Sequence, residues 1–307
     1  MSGGSAFGLD ASGGVMKYLR EKGIGYHTDI INVPIVCQAV LYDLQMLDQS
    51  SKPIPTNSNS TTETVNNTHN SCSSIELPNY FELGYKACTN QYKSIDVNGN
   101  IGAGNGAVIG KILGKEHAMK GGLGTFAIQL DDLKVGAIVA VNCFGDICES
   151  GKIIAGCYSE ILLDSDERDE ISVSRFQFLD SEKVLFDEYL KSKKETNVFE
   201  ASSSRAMTNT TIGIIVTNGI LDKSQLNRIA KMAHDGYARS MRPSHTLYDG
   251  DTIFVISTNT IDVKPPTNLV GTLAAQVIEK AVINGVKSAQ SLSGYKSFND
   301  LNQNINF

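Results

Sequence analysis

No stretch of this chain reaches 18 uninterrupted apolar residues, and Met1-Ser2-Gly3-Gly4-Ser5 has neither the charged nor the apolar region of a secretory leader. A cytoplasmic protein without a membrane partner is therefore expected. Basic residues are in the minority: 27 Lys and Arg against 33 Asp and Glu give a net charge of −6. The bases are also scattered, which argues against a nucleic-acid surface. None of the six cysteines (Cys37, Cys72, Cys88, Cys143, Cys148, Cys157) falls in a Cys-x-x-Cys pair, and the five histidines are dispersed. No metal and no cofactor are expected, and the thiols read as incidental groups in a reducing compartment. The sequons at Asn59 and Asn66 carry little weight without a leader.

What is present is a hydrophobic fraction of 41% over 307 residues, enough for a substantial core in one domain or two. Residues 9–22 show helical spacing (Ala11, Val15, Leu19) and end at Gly23. Residues 30–36 read as an edge strand interrupted by Pro34, and 39–47 as a helix. Residues 48–74 shift to Ser, Thr and Asn and read as a low-complexity loop insertion. Residues 119–125 read as a tight turn into a strand over 126–130, followed by a strand over 135–141. A helix is expected over 182–194. Asp222 with Gln225 three positions on predicts a capped helix over 223–240, in which His234 is structural. A strand over 252–257 and a long helix over 267–289 close the pattern.

The chain is organised around Asn209-Thr210-Thr211-Ile212-Gly213-Ile214-Ile215-Val216. Upstream, residues 200–208 show no period and read as exposed linker; downstream, 212–216 reads as a buried strand. A threonine at such a strand start is ordinary. It also permits a sharper chemistry. The Thr210 hydroxyl can attack the Asn209 carbonyl, move the acyl group from nitrogen to oxygen, and be freed by water as a new N-terminal threonine. Such a residue carries nucleophile and amine together, the amine having an unperturbed pKa of about 7.7–8.0.

Other groups have a bland and a chemical reading side by side. The glycines of 98–107 lack both the preceding strand and the spacing of a dinucleotide fingerprint, and Gly110-Lys111-Ile112 lacks the Ser or Thr of a phosphate-binding loop. Lys120, beside two glycines, is either a solvated turn residue or, desolvated in a cleft, a base or anion partner. Asn142 at a strand end is either a turn former or an oxyanion donor. Asp249-Gly250-Asp251 is either a turn or a pair of acids able to orient an ammonium and a lysine.

Taken jointly, residues 2–11 (SGGSAFGLDA), 33–36 (VPIV), 41–44 (LYDL), 102–107 (GAGNGA), 120–125 (KGGLGT), 135–145, and His245-Thr246 with Asp249-Gly-Asp-Thr252 resemble the P1 (S58) family of self-processing aminopeptidases and amide hydrolases. The Asn209-Thr210 junction is similar to its nylon-oligomer hydrolase branch. The resemblance implies an α/β fold, an αββα sandwich of the ornithine acetyltransferase type with an N-terminal-nucleophile-like site. It implies one hydrolase domain over 1–307, cleaved into an α fragment (1–209) and a β fragment (210–307) that stay together. By position, Thr210 matches the nucleophile, Lys120 the active-site lysine, Asn142 the oxyanion-side asparagine, and Asp249 and Asp251 the paired acids. Tyr85 is a candidate for the active-site tyrosine. A small amide or peptide substrate, an acyl-Thr210 intermediate and a homo-oligomer of αβ units are implied too. Family members carry further chain ahead of Ser2-Gly3-Gly4-Ser5, so outer strands and part of the cleft wall are expected to be missing. Two alternatives stay open: acyl transfer to an amine, and an uncleaved scaffold.

Overall fold

The computed structural model describes residues 1–46, 76–90, 97–163, 173–194 and 209–302. The expected insertion at 48–74, with Asn59, Asn66 and Cys72, and the expected linker at 200–208 lie outside them.

A four-stranded sheet forms the centre. Its strands are β5 (Gly122–Leu130), β6 (Leu133–Val141), β11 (Ile212–Thr217) and β13 (Thr252–Ser257), in the order β13-β11-β6-β5. β5 and β6 form an antiparallel hairpin, β11 runs antiparallel to β6, and β13 lies parallel to β11. Alternation decides the faces. Val135, Ala137, Val139 and Val141 of β6 and Ile215 of β11 point into the main core, while Ala140 and Ile212 point to the opposite face with Leu41 and Ala107. The core side is covered by α4 (Lys223–Ser240) and α5 (Thr267–Lys287). By length and composition α5 could cross a bilayer, but 67% of its most apolar window is buried within the protein. It is wrapped by its own sheet and by α4.

Glycines set how closely α5 approaches. A Cβ on Gly122 or Gly124 would strike the carbonyls of Gly285 and Ala281. The expected turn over 119–125 is therefore corrected: Met119–Lys120 is a short strand, β4, paired with β3 (Val108–Ile109), and β5 starts at Gly122. Glycine inside a strand here marks close backbone approach, not a bend.

Two further expectations change. The strand expected over 30–36 shrinks to β2 (Asn32–Val33), paired with β1 (Tyr26–His27), because Pro34 has no N–H for a ladder. The helix expected over 39–47 gives way to a 3₁₀ turn at Leu44–Met46. The Leu41 backbone is already paired with Ser2 and Ser5 at 2.8 Å each, which a helix would forbid. Helix α1 (Ala11–Glu21), preceded by a 3₁₀ turn, packs on α2 (Tyr80–Thr89), whose first turn is capped by the Asn79 side chain. A small sheet, β12 (Met241–Arg242), β7 (Asp146–Glu149) and β8 (Lys152–Ala155), joins the same core through Met241, Ile147 and Ala155. The hairpin of β9 (Tyr158–Leu163) and β10 (Val173–Phe178) leads to α3 (Ser181–Lys194). Sheets and helices together make the open, mixed α/β architecture of the expected fold class.

Candidate active site

Three strand ends converge on the Asn209–Thr210 peptide. Asn142 follows β6, Thr210 and Thr211 precede β11, and Gly250 and Asp251 precede β13. The ladder runs one step past the strands. The Thr210 N–H donates to the Asn142 carbonyl at 3.0 Å, and the Gly250 N–H donates to the Asn209 carbonyl at 2.9 Å. The peptide is thus pinned through both its nitrogen and its oxygen. Asn209 is 2% exposed; its Nδ2 reaches the Tyr248 carbonyl at 3.3 Å, and its Oδ1 has no hydrogen-bond partner.

The Thr210 hydroxyl folds back over this peptide and donates to the Asn209 carbonyl at 2.6 Å. Gly250 makes room for it: a Cβ there would stand 3.0 Å from Thr210 Oγ1. Attack on the Asn209 carbon would place negative charge on its oxygen, where the Gly250 N–H already points. Its 2.9 Å lies in the range of donors that stabilise oxyanions.

Both acids are brought here, and both are fully occupied. Asp249 Oδ1 accepts from the Phe144 N–H at 3.0 Å, and Oδ2 from the Thr246 hydroxyl at 2.6 Å. Burial, and then the neighbouring Asp251, raise its pKa above the usual carboxylate value. Asp251 Oδ1 accepts from the Thr211 N–H at 3.0 Å, while Oδ2 pairs with His245 Nδ1 at 2.8 Å. The acids fasten the 245–251 loop onto the two strand ends beside Thr210.

The lysines divide differently from the sequence reading. Lys120 is fully buried and donates to the carbonyls of Gly104, Ala107 and Gly121 at 2.8–2.9 Å. Two of these acceptors belong to the 98–107 segment and the third is the residue that follows Lys120. Lys111, set aside in the sequence as part of a failed phosphate-loop pattern, is the lysine that reaches Asn142. Its Nζ lies 3.0 Å from Asn142 Oδ1 and 3.3 Å from the same carbonyl that takes the Thr210 N–H. Backbone pairing of Gly110 with Gly145 and of Lys111 with Phe144 delivers it, and positive φ at Gly110 permits the close turn. Burial pushes Lys111 down to about 7, against a smaller opposing pull from Cys143, Asp249 and Asp43. Asn142 completes the link: Oδ1 also accepts the Val108 N–H, and Nδ2 donates to the Tyr42 carbonyl.

Tyr85 sits on the α1–α2 pair, where its hydroxyl bonds Glu21 at 2.7 Å and its ring meets Tyr18. Two neighbours of the Asn209–Thr210 peptide and Asn142 were not singled out in the sequence, Lys111 and the Gly250 N–H. A lysine 31 positions before a strand-end asparagine gives no periodic signal, and a backbone donor gives none at all.

The Asn209–Thr210 peptide is thus pinned at both ends under a hydroxyl, with a buried lysine of lowered pKa behind it. Residues 1–299 match the sequence model of peptidase family S58, and the chain belongs to that family, among the hydrolases of C–N amide and peptide bonds. It is 29% identical over 318 residues to an uncharacterized aminopeptidase of Mycobacterium tuberculosis (strain ATCC 25618 / H37Rv), covering 98% of this chain and 77% of that one. It is 26% identical over 300 residues to a 6-aminohexanoate-oligomer endohydrolase of Kocuria sp. (strain KY2), covering 94% and 70%. Among solved structures, the L-aminopeptidase D-Ala-esterase/amidase of Ochrobactrum anthropi overlays with a TM-score of 0.42 at 18% identity, covering 68% of this chain. The chain spans half the length of that solved protein.

Proposed function

We propose that this protein is a self-processing amide hydrolase whose nucleophile is Thr210. In the first reaction, Thr210 Oγ attacks the Asn209 carbonyl carbon as Lys111, in its neutral form, accepts the hydroxyl proton. The Gly250 N–H holds the oxyanion. The C–N bond breaks, the nitrogen takes up a proton, and water hydrolyses the resulting ester to leave the Asn209 carboxylate and a free Thr210 amine. Fragments of 209 and 98 residues result.

In the second reaction the departing Asn209 carbonyl leaves the Gly250 N–H free for the carbonyl oxygen of an incoming amide. Thr210 Oγ attacks, the leaving amine departs protonated, and water cleaves the acyl-Thr210 ester. The new α-amine keeps its place at the Asn142 carbonyl, which Lys111 also approaches. Two amines on one acceptor repel when both are charged, which favours a neutral base near pH 7. The names of the relatives point to aminoacyl amides and amide oligomers as substrates.

One observation carries this reading: Thr210 Oγ1 and the Gly250 N–H meet on the same carbonyl oxygen, at 2.6 and 2.9 Å. The test is the intact mass and N-terminal sequence of purified protein, with p-nitroanilides and 6-aminohexanoate oligomers as substrates. A polypeptide beginning Thr-Thr-Ile-Gly is expected, and Thr210→Ala is expected to stay whole and inactive. Scission of the same bond in Thr210→Ala would sink the mechanism.

A further inference from the structure

Beyond the groups touching the scissile peptide, one side chain is built into the site that the reaction above does not use. His245 opens the 245–251 loop in a left-handed conformation, φ +57°, that few side chains adopt. Its Nδ1 lies 2.8 Å from Asp251 Oδ2, and its backbone N–H reaches the same oxygen at 3.3 Å. Asp251 is 3% exposed in its side chain. Its other oxygen holds the Thr211 N–H, on the residue immediately after the nucleophile. The chain of contacts therefore runs His245, Asp251, Thr211, Thr210.

We propose that His245 is a positioning residue for the Asn209–Thr210 scission, acting through Asp251 to seat the Thr210 peptide against the Gly250 N–H. This rests on the reading of Thr210 as nucleophile. The physical reason is rotational. Without the imidazole, Asp251 Oδ2 keeps only the longer 3.3 Å contact to the His245 backbone N–H, and the carboxylate is freer to turn about its side-chain bonds and slacken its hold on Thr211. Thr211 and Gly250 flank the reacting bond on opposite sides, so slack in either tether moves the hydroxyl relative to the carbonyl. A displacement of roughly 1 Å between reacting atoms is enough to cost about a hundredfold in rate.

The surroundings favour the charged imidazole. The bond to Asp251 raises the His245 pKa first, burial opposes it, and the Asp251 charge, the His234 backbone and Asp249 add to the rise. From α4, the His234 ring lies 4.8 Å away, centre to centre, and its own pKa is lowered by burial and then by His245. Asp235 also acts on His234, and Tyr237 stacks 6.0 Å from His245, its buried hydroxyl lacking a hydrogen-bond partner. A charge-assisted tether is roughly twice as strong as a neutral one. Scission should therefore slow on the alkaline side as His245 loses its proton.

The experiment follows scission of freshly refolded full-length chain by gel and intact mass from pH 5 to 9, in wild type, His245→Ala, His245→Asn and Thr210→Ala, each checked by thermal melting. Asparagine tolerates the left-handed backbone, and its Nδ2 can take the place of Nδ1 as an uncharged donor that does not titrate. His245→Ala is expected to melt as a folded protein yet cleave about a hundredfold more slowly, on the scale set by a misplacement of roughly 1 Å. His245→Asn is expected to recover most of the rate at pH 6 and to lack the alkaline fall of wild type. Scission of His245→Ala at the wild-type rate, an Asn variant as slow as Ala, or a wild type without the alkaline fall each overturns the inference. Thr210→Ala separates the levels: if it is cleaved, the nucleophile assignment fails; if it stays whole while His245→Ala cleaves normally, only the role of His245 fails.

Discussion

At the scale of residues, the site shows that chemical type is easier to read from a sequence than partnership. Thr210, Asn142, Asp249 and Asp251 stood out because each sits at a strand boundary, where side chains of that kind either make turns or do chemistry, and the fold brings all four together. Which lysine joins them was not legible. Lys111 and Lys120 are both pulled down to about 7 by burial, but Lys120 turns its ammonium to the carbonyls of Gly104, Ala107 and Gly121, whereas Lys111 turns to Asn142, whose carbonyl also takes the Thr210 N–H. The proposed reaction takes Lys111 as its base, and pH should test it. Its pKa is lowered, so the neutral, proton-accepting form grows as pH rises through about 7. Scission of wild type should rise from the acid side as this form grows and fall again as His245 loses its proton. Lys111→Met should lose the rise and slow by about 10²–10⁴, the range of general-base catalysis. Lys120→Met, if folded, should keep the rise. Stopped time courses read by intact mass decide it, and a pH profile that follows Lys120 would reverse the assignment.

At the scale of elements, local signals succeeded where they were self-contained. The box at the start of α4 forms as read: the Asp222 side chain takes the Gln225 N–H at 2.8 Å and the Gln225 side chain returns to the Asp222 N–H at 2.9 Å. Asp222→Ala should cost about 0.5–2 kcal/mol, measured by denaturant unfolding of uncleaved Thr210→Ala protein, with no change in the scission rate when Thr210 is restored. Signals failed where a distant partner decides the outcome. The glycines of β5 looked like a turn because their reason, the backbone of α5, lies some 160 residues away. Residues 39–47 have helical composition, but Leu41 is bound in both directions to the N-terminal segment. In the 98–107 segment, the carbonyls of Gly104 and Ala107 receive the Lys120 ammonium.

At the scale of the whole molecule, the proposed cut falls between strands that share one sheet. β11 bonds to β6, encoded before the cut, and to β13, encoded after it; α5 lies across β5 and β6 from the other fragment. Scission should therefore leave the fragments associated through native purification and separable only in denaturant. Recovery after denaturation should differ sharply between forms. Unprocessed Thr210→Ala should regain its structure at a rate independent of protein concentration, whereas the processed pair should need a bimolecular encounter and lose yield on dilution. Light scattering and circular dichroism over a hundredfold concentration series would check this, and identical behaviour of the two forms would count against an interlocked pair.

The interleaving of β11 between strands from both sides of the cut also gives maturation a direction in time. Were the chain cut at the proposed bond before folding, β11 would have to find β6 on a separate polypeptide; cut afterwards, the pair would hold a shape that it could not easily regain. Its lifetime then depends on how seldom it opens, with little help from how readily it could be rebuilt.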